Sequence, residues 1–228
     1  ALEGSKPITD LQRKVLDALK ANSGEMLFVD LVEKAGTGAS PINTLEKRGL
    51  LEVYVTEVFR DPLASARLPE IAEFELNAEQ KFALGEISNA LDAQKYRAFL
   101  LHGITGSGKT EVYIRAMKAC ILMGRSALML VPEIALTPIF SRRLRSVFGE
   151  EVAILHSNLS PGERFDEWRR IRSGAARVVI GTRSAIFAPL TDIGLIVVDE
   201  EHDASYRQKE SPFYNARDTA VVRANSAG

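Results

Sequence analysis

The chain has 228 residues, room for one large domain or for an ordinary domain plus a small one. Hydrophobic residues make up 46% and charged residues 26%, which excludes a disordered or collagen-like chain. With 29 Lys and Arg against 30 Asp and Glu the net charge is −1, so no global basic field exists and any nucleic-acid surface has to be local. The single Cys120 leaves no disulfide framework and no zinc ligand set in this sequence, and it favours a reducing compartment. No apolar run approaches the roughly 18 residues that span a bilayer, so a soluble protein with no membrane partner is expected. The chain begins without Met, and Ala1–Ser5 reads as a vector-derived leader with no apolar signal core behind it.

Up to about Arg67 the segments are short. Leu11, Val15, Leu16 and Leu19 recur at helical spacing and predict a helix over Asp10 to Lys20. A second helix is expected over Leu27 to Ala35, and a third from Ser40-Pro41 through Lys47, with Ser as N-cap and Pro at N1. Gly49 stops it, and Leu50 to Phe59 alternates as a strand. Three helices followed by a strand predict a small winged-helix domain over residues 1–67, with a linker over 68–76 punctuated by Leu68-Pro69. This module carries 9 basic and 11 acidic residues through Glu70, a poor balance for a stand-alone DNA reader, so a protein contact remains an equal alternative.

From Asn77 the pattern alternates helix and short apolar run, and residues 77–228 are expected to form an α/β lobe with a parallel sheet covered on both faces. Helices are predicted over Asn77 to Asp92, Lys109 to Met123, Thr137 to Phe148 and Pro161 to Arg172. Strands are predicted over Ala98 to Leu101, Ser126 to Val131, Val152 to Leu155, Arg177 to Ile180 and Gly194 to Val198. Ligands of such sheets sit at the carboxyl ends of the strands. Trp168, Phe165 and Ile171 are spaced for a helix face and read as core, whereas Arg142, Arg143 and Arg145 read as a solvated face.

The strongest single signal is Gly103-Ile104-Thr105-Gly106-Ser107-Gly108-Lys109-Thr110, which fits G-x-x-x-x-G-K-[ST] between an apolar run and a helix. Its glycines let backbone N–H groups turn inward around phosphate oxygens, and the helix N-terminus adds its positive dipole end. Lys109 is expected to reach the β- and γ-phosphates and Thr110 to ligate Mg²⁺. Ninety residues after Lys109, Leu195-Ile196-Val197-Val198 runs into Asp199-Glu200-Glu201-His202. Asp199 suits the metal, Glu200 suits an attacking water as general base, and His202 either relays between nucleotide and strand or caps the turn. Gln80 faces two uses: Asn77-Ala78-Glu79-Gln80 has capping-box spacing, yet its amide can also satisfy adenine N6 and N7. Adenine is the reading taken, since no guanine-reading Asn-Lys-x-Asp occurs, so the expected cofactors are ATP and Mg²⁺ without zinc.

The phosphate loop with Glu111-Val112-Tyr113, the run Val131-Pro132-Glu133-Ile134-Ala135-Leu136-Thr137-Pro138, the run Gly181-Thr182-Arg183-Ser184-Ala185 and Asp199-Glu200-Glu201-His202 together resemble, in order and spacing, the bacterial primosomal replication-restart DNA helicases (primosomal protein N′). The resemblance covers about residues 75–225. It implies a winged helix followed by the first RecA-like lobe of a superfamily-2 motor, in which ATP hydrolysis drives 3′ to 5′ translocation at stalled forks. It also implies a bacterial, cytoplasmic, nucleoid-associated protein whose partners are single-stranded and forked DNA, the second helicase lobe of a parent chain, the primosome and single-strand-binding proteins.

Carried onto this sequence, the resemblance places Pro132, Glu133 and Thr137 along the single-strand path and Gly181, Thr182, Arg183 and Ser184 on a second DNA-facing loop. Residues 205–218 resemble an aromatic-rich loop that links DNA to the ATP site, through Tyr206, Arg207, Lys209, Phe213 and Tyr214. The sequence departs from the family at Phe213, where a basic residue is common, and at Asn158, where His-Ser-Gly is common. The resemblance further implies an incomplete motor, since the Ser-Ala-Thr motif expected next does not occur. Two readings compete: a nucleotide-gated interaction module without chemistry, and a P-loop phosphotransferase.

Overall fold

The computed structural model describes residues 7–54 and 74–227, which fall into two separate units. The smaller holds α1 (Asp10–Lys20), α2 (Phe28–Ala35) and α3 (Ala39–Lys47). Thr9 and Gln12 close a reciprocal capping box on α1. Gly36, at φ +59°, ends α2 in the left-handed conformation that glycine adopts without strain. Val15, Leu31, Ala35, Ile42 and Leu45 are the buried core of this unit.

Two expectations change here. The third helix starts two residues early, with Gly38 as N-cap and no side-chain cap bond, so Ser40 is not the cap. Leu51–Tyr54 carries no strand, and the rest of the predicted strand and most of the linker lie outside the described residues.

The larger unit is built on a parallel four-stranded sheet of order β2-β3-β1-β4, with β1 Ser126–Leu130, β2 Val152–Leu155, β3 Val178–Gly181 and β4 Ile193–Val198. Successive side chains of a strand point to opposite faces. Ala127, Met129, Val178 and Ile180 therefore pack with α5 (Lys109–Leu122) and α6 (Pro138–Phe148), through Met117, Leu144 and Phe148. Leu128, Leu130, Ala153 and Val179 pack on the other face against Ile171 of α7 (Pro161–Arg172), Ile186, and Ala216 and Ala220 of α8 (Ala216–Ser226). Both faces are covered, which is the α/β architecture of a RecA-like lobe. The remaining helix, α4 (Ala78–Ala93), packs on α5.

The predicted strand Ala98 to Leu101 does not form. This segment and β4 face each other across a groove of about 580 Å³, too open for a ladder, and Leu100 is left 77% exposed. A strand needs a neighbour within hydrogen-bonding distance, and periodicity alone does not supply one. On α7 the predicted core is only partly found: Ile171 is buried, whereas Phe165 and Trp168 are exposed and carry Arg169 and Arg172 over their rings. Nor is the arginine run of α6 a solvated face. Arg145 is buried and donates to the Val152 carbonyl (3.3 Å), and Arg143 reaches Glu111 on α5 at 3.0 Å.

Candidate functional site

The phosphate loop joins the Ala98–His102 segment to α5. Gly106 and Gly108 have φ of +82° and +83°, a region that side chains rarely adopt. A Cβ on Gly108 would stand 2.4 Å from Gln80 Nε2, and one on Gly103 2.7 Å from Ser107 Oγ, so the loop is closed against itself and against α4. Lys109 Nζ donates to the carbonyls of Gly103 (2.7 Å) and Ile104 (3.3 Å). The same ammonium stands 3.7 Å from Glu200 Oε1. Thr105 and Gly106 are exposed, and Thr110 is half-buried in the first turn of α5.

Asp199 continues β4 by one residue, its N–H donating to the Leu130 carbonyl at 2.9 Å, which puts its carboxylate at the carboxyl edge of the sheet. Burial pushes the Asp199 carboxyl up from its usual value and neighbouring Glu200 pushes it further, against the Glu200 N–H, Lys109 and the Tyr113 phenol, which all favour the charged form. Glu200 has φ +45°, a strained conformation of a kind that concentrates at functional sites and costs about 1–3 kcal/mol. His202 Nε2 lies 3.8 Å from Glu200 Oε2, on an exposed ring. Two sequence segments ninety residues apart thus meet, with Lys109, Glu200 and His202 all lining the groove beside β4.

The donors fit a hard divalent cation that keeps most of its shell from water and phosphate. A partly desolvated carboxylate at Asp199 and a hydroxyl at Thr110 are oxygen ligands of the kind Mg²⁺ takes one or two at a time. Among the described residues no group of three or more His, Cys, Asp or Glu is arranged as a metal cage.

Gln80 serves the cap and the loop together. Its Oε1 accepts from the Asn77 N–H (3.0 Å) and its Nε2 donates to the Ser107 carbonyl (2.9 Å), so both ends of the amide are occupied by protein. In this conformation the amide bridges α4 to the phosphate loop, and reading adenine would require it to exchange these two bonds. Sequence reasoning gave no role to Tyr113, which is buried on α5 beside the Asp199 carboxylate and has its phenol pushed up to about 12, chiefly by burial. Its position one turn after Lys109 was the available signal.

The residues expected to face DNA divide. Glu133, Thr137, Ser184, Arg207, Lys209 and Phe213 are exposed, Arg183 and Tyr214 half-buried. Thr137 caps α6 by accepting from the Phe140 N–H at 3.2 Å. Pro132, Gly181, Thr182 and Tyr206 are buried, which corrects the expectation of direct contact for these four. Gly181 is a packing glycine: a Cβ there would stand 2.5 Å from the Leu155 carbonyl oxygen and 2.6 Å from the Ala185 Cβ. The Thr182 N–H donates to that same carbonyl (3.2 Å). Tyr206 is 1% exposed and donates its hydroxyl to the Asp199 carbonyl at 2.7 Å, leaving no ring face for a base. A cleft of about 410 Å³ lies between Arg183, Ser205, Arg207 and Lys209, and Tyr214 packs edge-on to Phe187 with ring centroids 4.9 Å apart.

Residues 73–222 match the family model described as type III restriction enzyme, res subunit. The chain belongs to that family. Within this res-subunit family it is similar to proteins named replication restart protein PriA. It is 44% identical over 195 residues to that of Bacillus subtilis (strain 168), covering 86% of this chain and 24% of the relative. To that of Synechocystis sp. it is 44% identical over 222 residues, covering 95% and 26%. To that of Chlamydia trachomatis it is 47% identical over 215 residues, covering 93% and 28%. The chain spans about a quarter of the length of these curated relatives.

Proposed function

We propose that residues 74–227 are the nucleotide-binding lobe of an ATP-dependent DNA helicase that acts in replication restart, and that the three-helix unit before it is a winged-helix module. The carrying observation is the meeting of Lys109, at the head of a helix behind a phosphate loop, with Glu200 at 3.7 Å and the desolvated carboxylate of Asp199 next to it. A P-loop lysine and two carboxylates at the carboxyl edge of a parallel sheet are the parts that phosphoryl transfer to water requires. The relatives' shared name, replication restart protein, supports the biological setting.

In this reading Lys109 exchanges the Gly103 and Ile104 carbonyls for the β- and γ-phosphates of ATP. Thr110 and Asp199 would hold Mg²⁺, which would supply neutralisation of the charge on the phosphate oxygens. Glu200, released from Lys109, accepts a proton from the attacking water, and His202 links the Glu200 carboxylate to the groove. Ser184, Arg183, Arg207 and Lys209 contact phosphates of a single strand without reading bases, and Phe213 offers a stacking surface. Translocation runs 3′ to 5′ and requires a second lobe, so the 228-residue chain alone binds nucleotide and turns it over slowly. Forked DNA, the primosome and single-strand-binding proteins are the proposed partners, in the bacterial cytoplasm at the nucleoid.

The test is ATP hydrolysis and strand separation by a chain of the relatives' full length, with and without single-stranded DNA. DNA-stimulated hydrolysis with unwinding supports the reading. Nucleotide binding without turnover under those conditions replaces it with a nucleotide-gated interaction module.

A further inference from the structure

Arg183 opens the 3₁₀ turn Arg183–Phe187 that follows β3. Its Nη1 donates to two carbonyls, those of Ser205 (3.3 Å) and Arg207 (3.2 Å). These are the residues on either side of Tyr206, whose buried hydroxyl donates to the Asp199 carbonyl at 2.7 Å. That carbonyl belongs to the peptide unit joining Asp199 to Glu200. The orientation of this one peptide plane sets ψ of the first residue and φ of the second, and so the direction of both carboxylates.

The φ of +45° at Glu200 makes the arrangement consequential. A non-glycine residue in the left-handed region relaxes to negative φ unless its surroundings hold it, and a flip of the preceding peptide plane is the short route. The Tyr206 hydroxyl bonds the oxygen that would move in that flip. Tyr206 is in turn fixed by its burial with Ile186, Ala185 and Ala216 and by the grip of Arg183 on the main chain around it.

We propose that Arg183 is a positioning residue for the Asp199–Glu200 turn, acting through Tyr206, in addition to facing the strand. This rests on the reading of the site as a Mg²⁺-dependent ATPase. Both of these bonds leave from Nη1, and the same side chain lines the cationic cleft with Arg207 and Lys209. A strand phosphate in that cleft therefore meets the group that holds the carboxylate turn. Lysine replaces it poorly, because its ammonium presents every donor from one atom and has no planar fork that keeps a second nitrogen for a phosphate while the first holds the carbonyls.

The test uses the full-length chain and two readouts. The first is hydrogen–deuterium exchange over residues 199–203 without nucleotide; the second is the Mg²⁺ concentration for half-maximal DNA-stimulated hydrolysis. Tyr206→Phe removes only the hydroxyl and should speed exchange and raise the Mg²⁺ requirement, each about five-fold, the worth of one hydrogen bond. Arg183→Lys should move both in the same direction, and the double variant should go no further than the larger single change, because the two act in series. Parent-like exchange in Tyr206→Phe, or effects that multiply in the double variant, overturns the proposal. Should Tyr206→Phe fail to fold, Arg183→Lys decides alone: faster exchange supports the proposal and parent-like exchange overturns it. Exchange needs no ATP, so a parent chain without Mg²⁺-dependent hydrolysis sinks the ATPase reading while the exchange result still judges the strut.

Discussion

Substituting Gly181 with alanine separates a packing role from a DNA-contact role at the end of β3. The new Cβ would meet the Leu155 carbonyl oxygen at 2.5 Å and the Ala185 Cβ at 2.6 Å, and neither obstacle is the free end of a flexible side chain. Overpacking of this kind costs about 1–3 kcal/mol. Moving the Leu155 carbonyl also weakens the bond it accepts from the Thr182 N–H at 3.2 Å, for about 1 kcal/mol more. A total of about 2–4 kcal/mol, at roughly 2–4 °C per kcal/mol for a unit of this size, lowers the melting temperature by about 4–16 °C. Thermal unfolding followed by circular dichroism measures it, with Ser184→Ala, an exposed neighbour, as a control expected to stay within about 0.5 kcal/mol of the parent. A Gly181→Ala chain that melts with the parent and has lost affinity for single-stranded DNA would refute the packing argument and return the glycine to the DNA path.

Three further outcomes are expected. Glu200→Gln in the full-length chain should keep nucleotide binding and lower hydrolysis by about 10²–10⁴-fold in a phosphate-release assay, since an amide cannot accept the proton of water; retained turnover places the base elsewhere. Because burial raises the Asp199 carboxyl in the folded state, the stability it contributes without metal is present below the unfolded carboxylate value of about 3.9 and is lost as pH rises through the raised one. Asp199→Asn should therefore melt higher than the parent in metal-free buffer at neutral pH and together with it below about pH 3.9, while Mg²⁺ strengthens nucleotide binding in the parent and not in the variant; a variant that melts lower at neutral pH contradicts this. Phe213→Ala removes a ring that is 75% exposed, so it should lower DNA-stimulated hydrolysis with no change in melting temperature, and a fall in stability instead would make the loop structural.

The parts of this protein that were legible in its sequence are those whose signal is local. The phosphate loop is contiguous, and each of the strands β1 to β4 comes from a short apolar run; the central pair, β1 and β3, is buried on both faces, which leaves the sequence little choice there. The failures follow from long-range context. On α7 the hydrophobic pattern is inverted: Glu167 is buried in an ion pair with Arg170 at 2.6 Å while Phe165 and Trp168 face outward under arginines, so counting apolar residues selects the wrong face. The helix α8 escaped notice because Ala216 and Ala220 make its buried contacts while Val221 and Val222 point to solvent. In the sequence Tyr113 carries no role of its own and Tyr206 reads as a stacking residue. Only the fold brings both phenols to Asp199, one on its side chain and the other on its main chain.

The claim that everything else depends on is that Lys109 and the loop before it hold the phosphates of a nucleotide. Calorimetric titration of the 228-residue chain with a non-hydrolysable ATP analogue and Mg²⁺, beside Lys109→Ala, tests it without requiring turnover. Losing a charge-assisted bond to phosphate is worth about 1.5–3 kcal/mol, so the variant should bind about 10- to 150-fold more weakly. Equal affinity in the two chains would contradict the account.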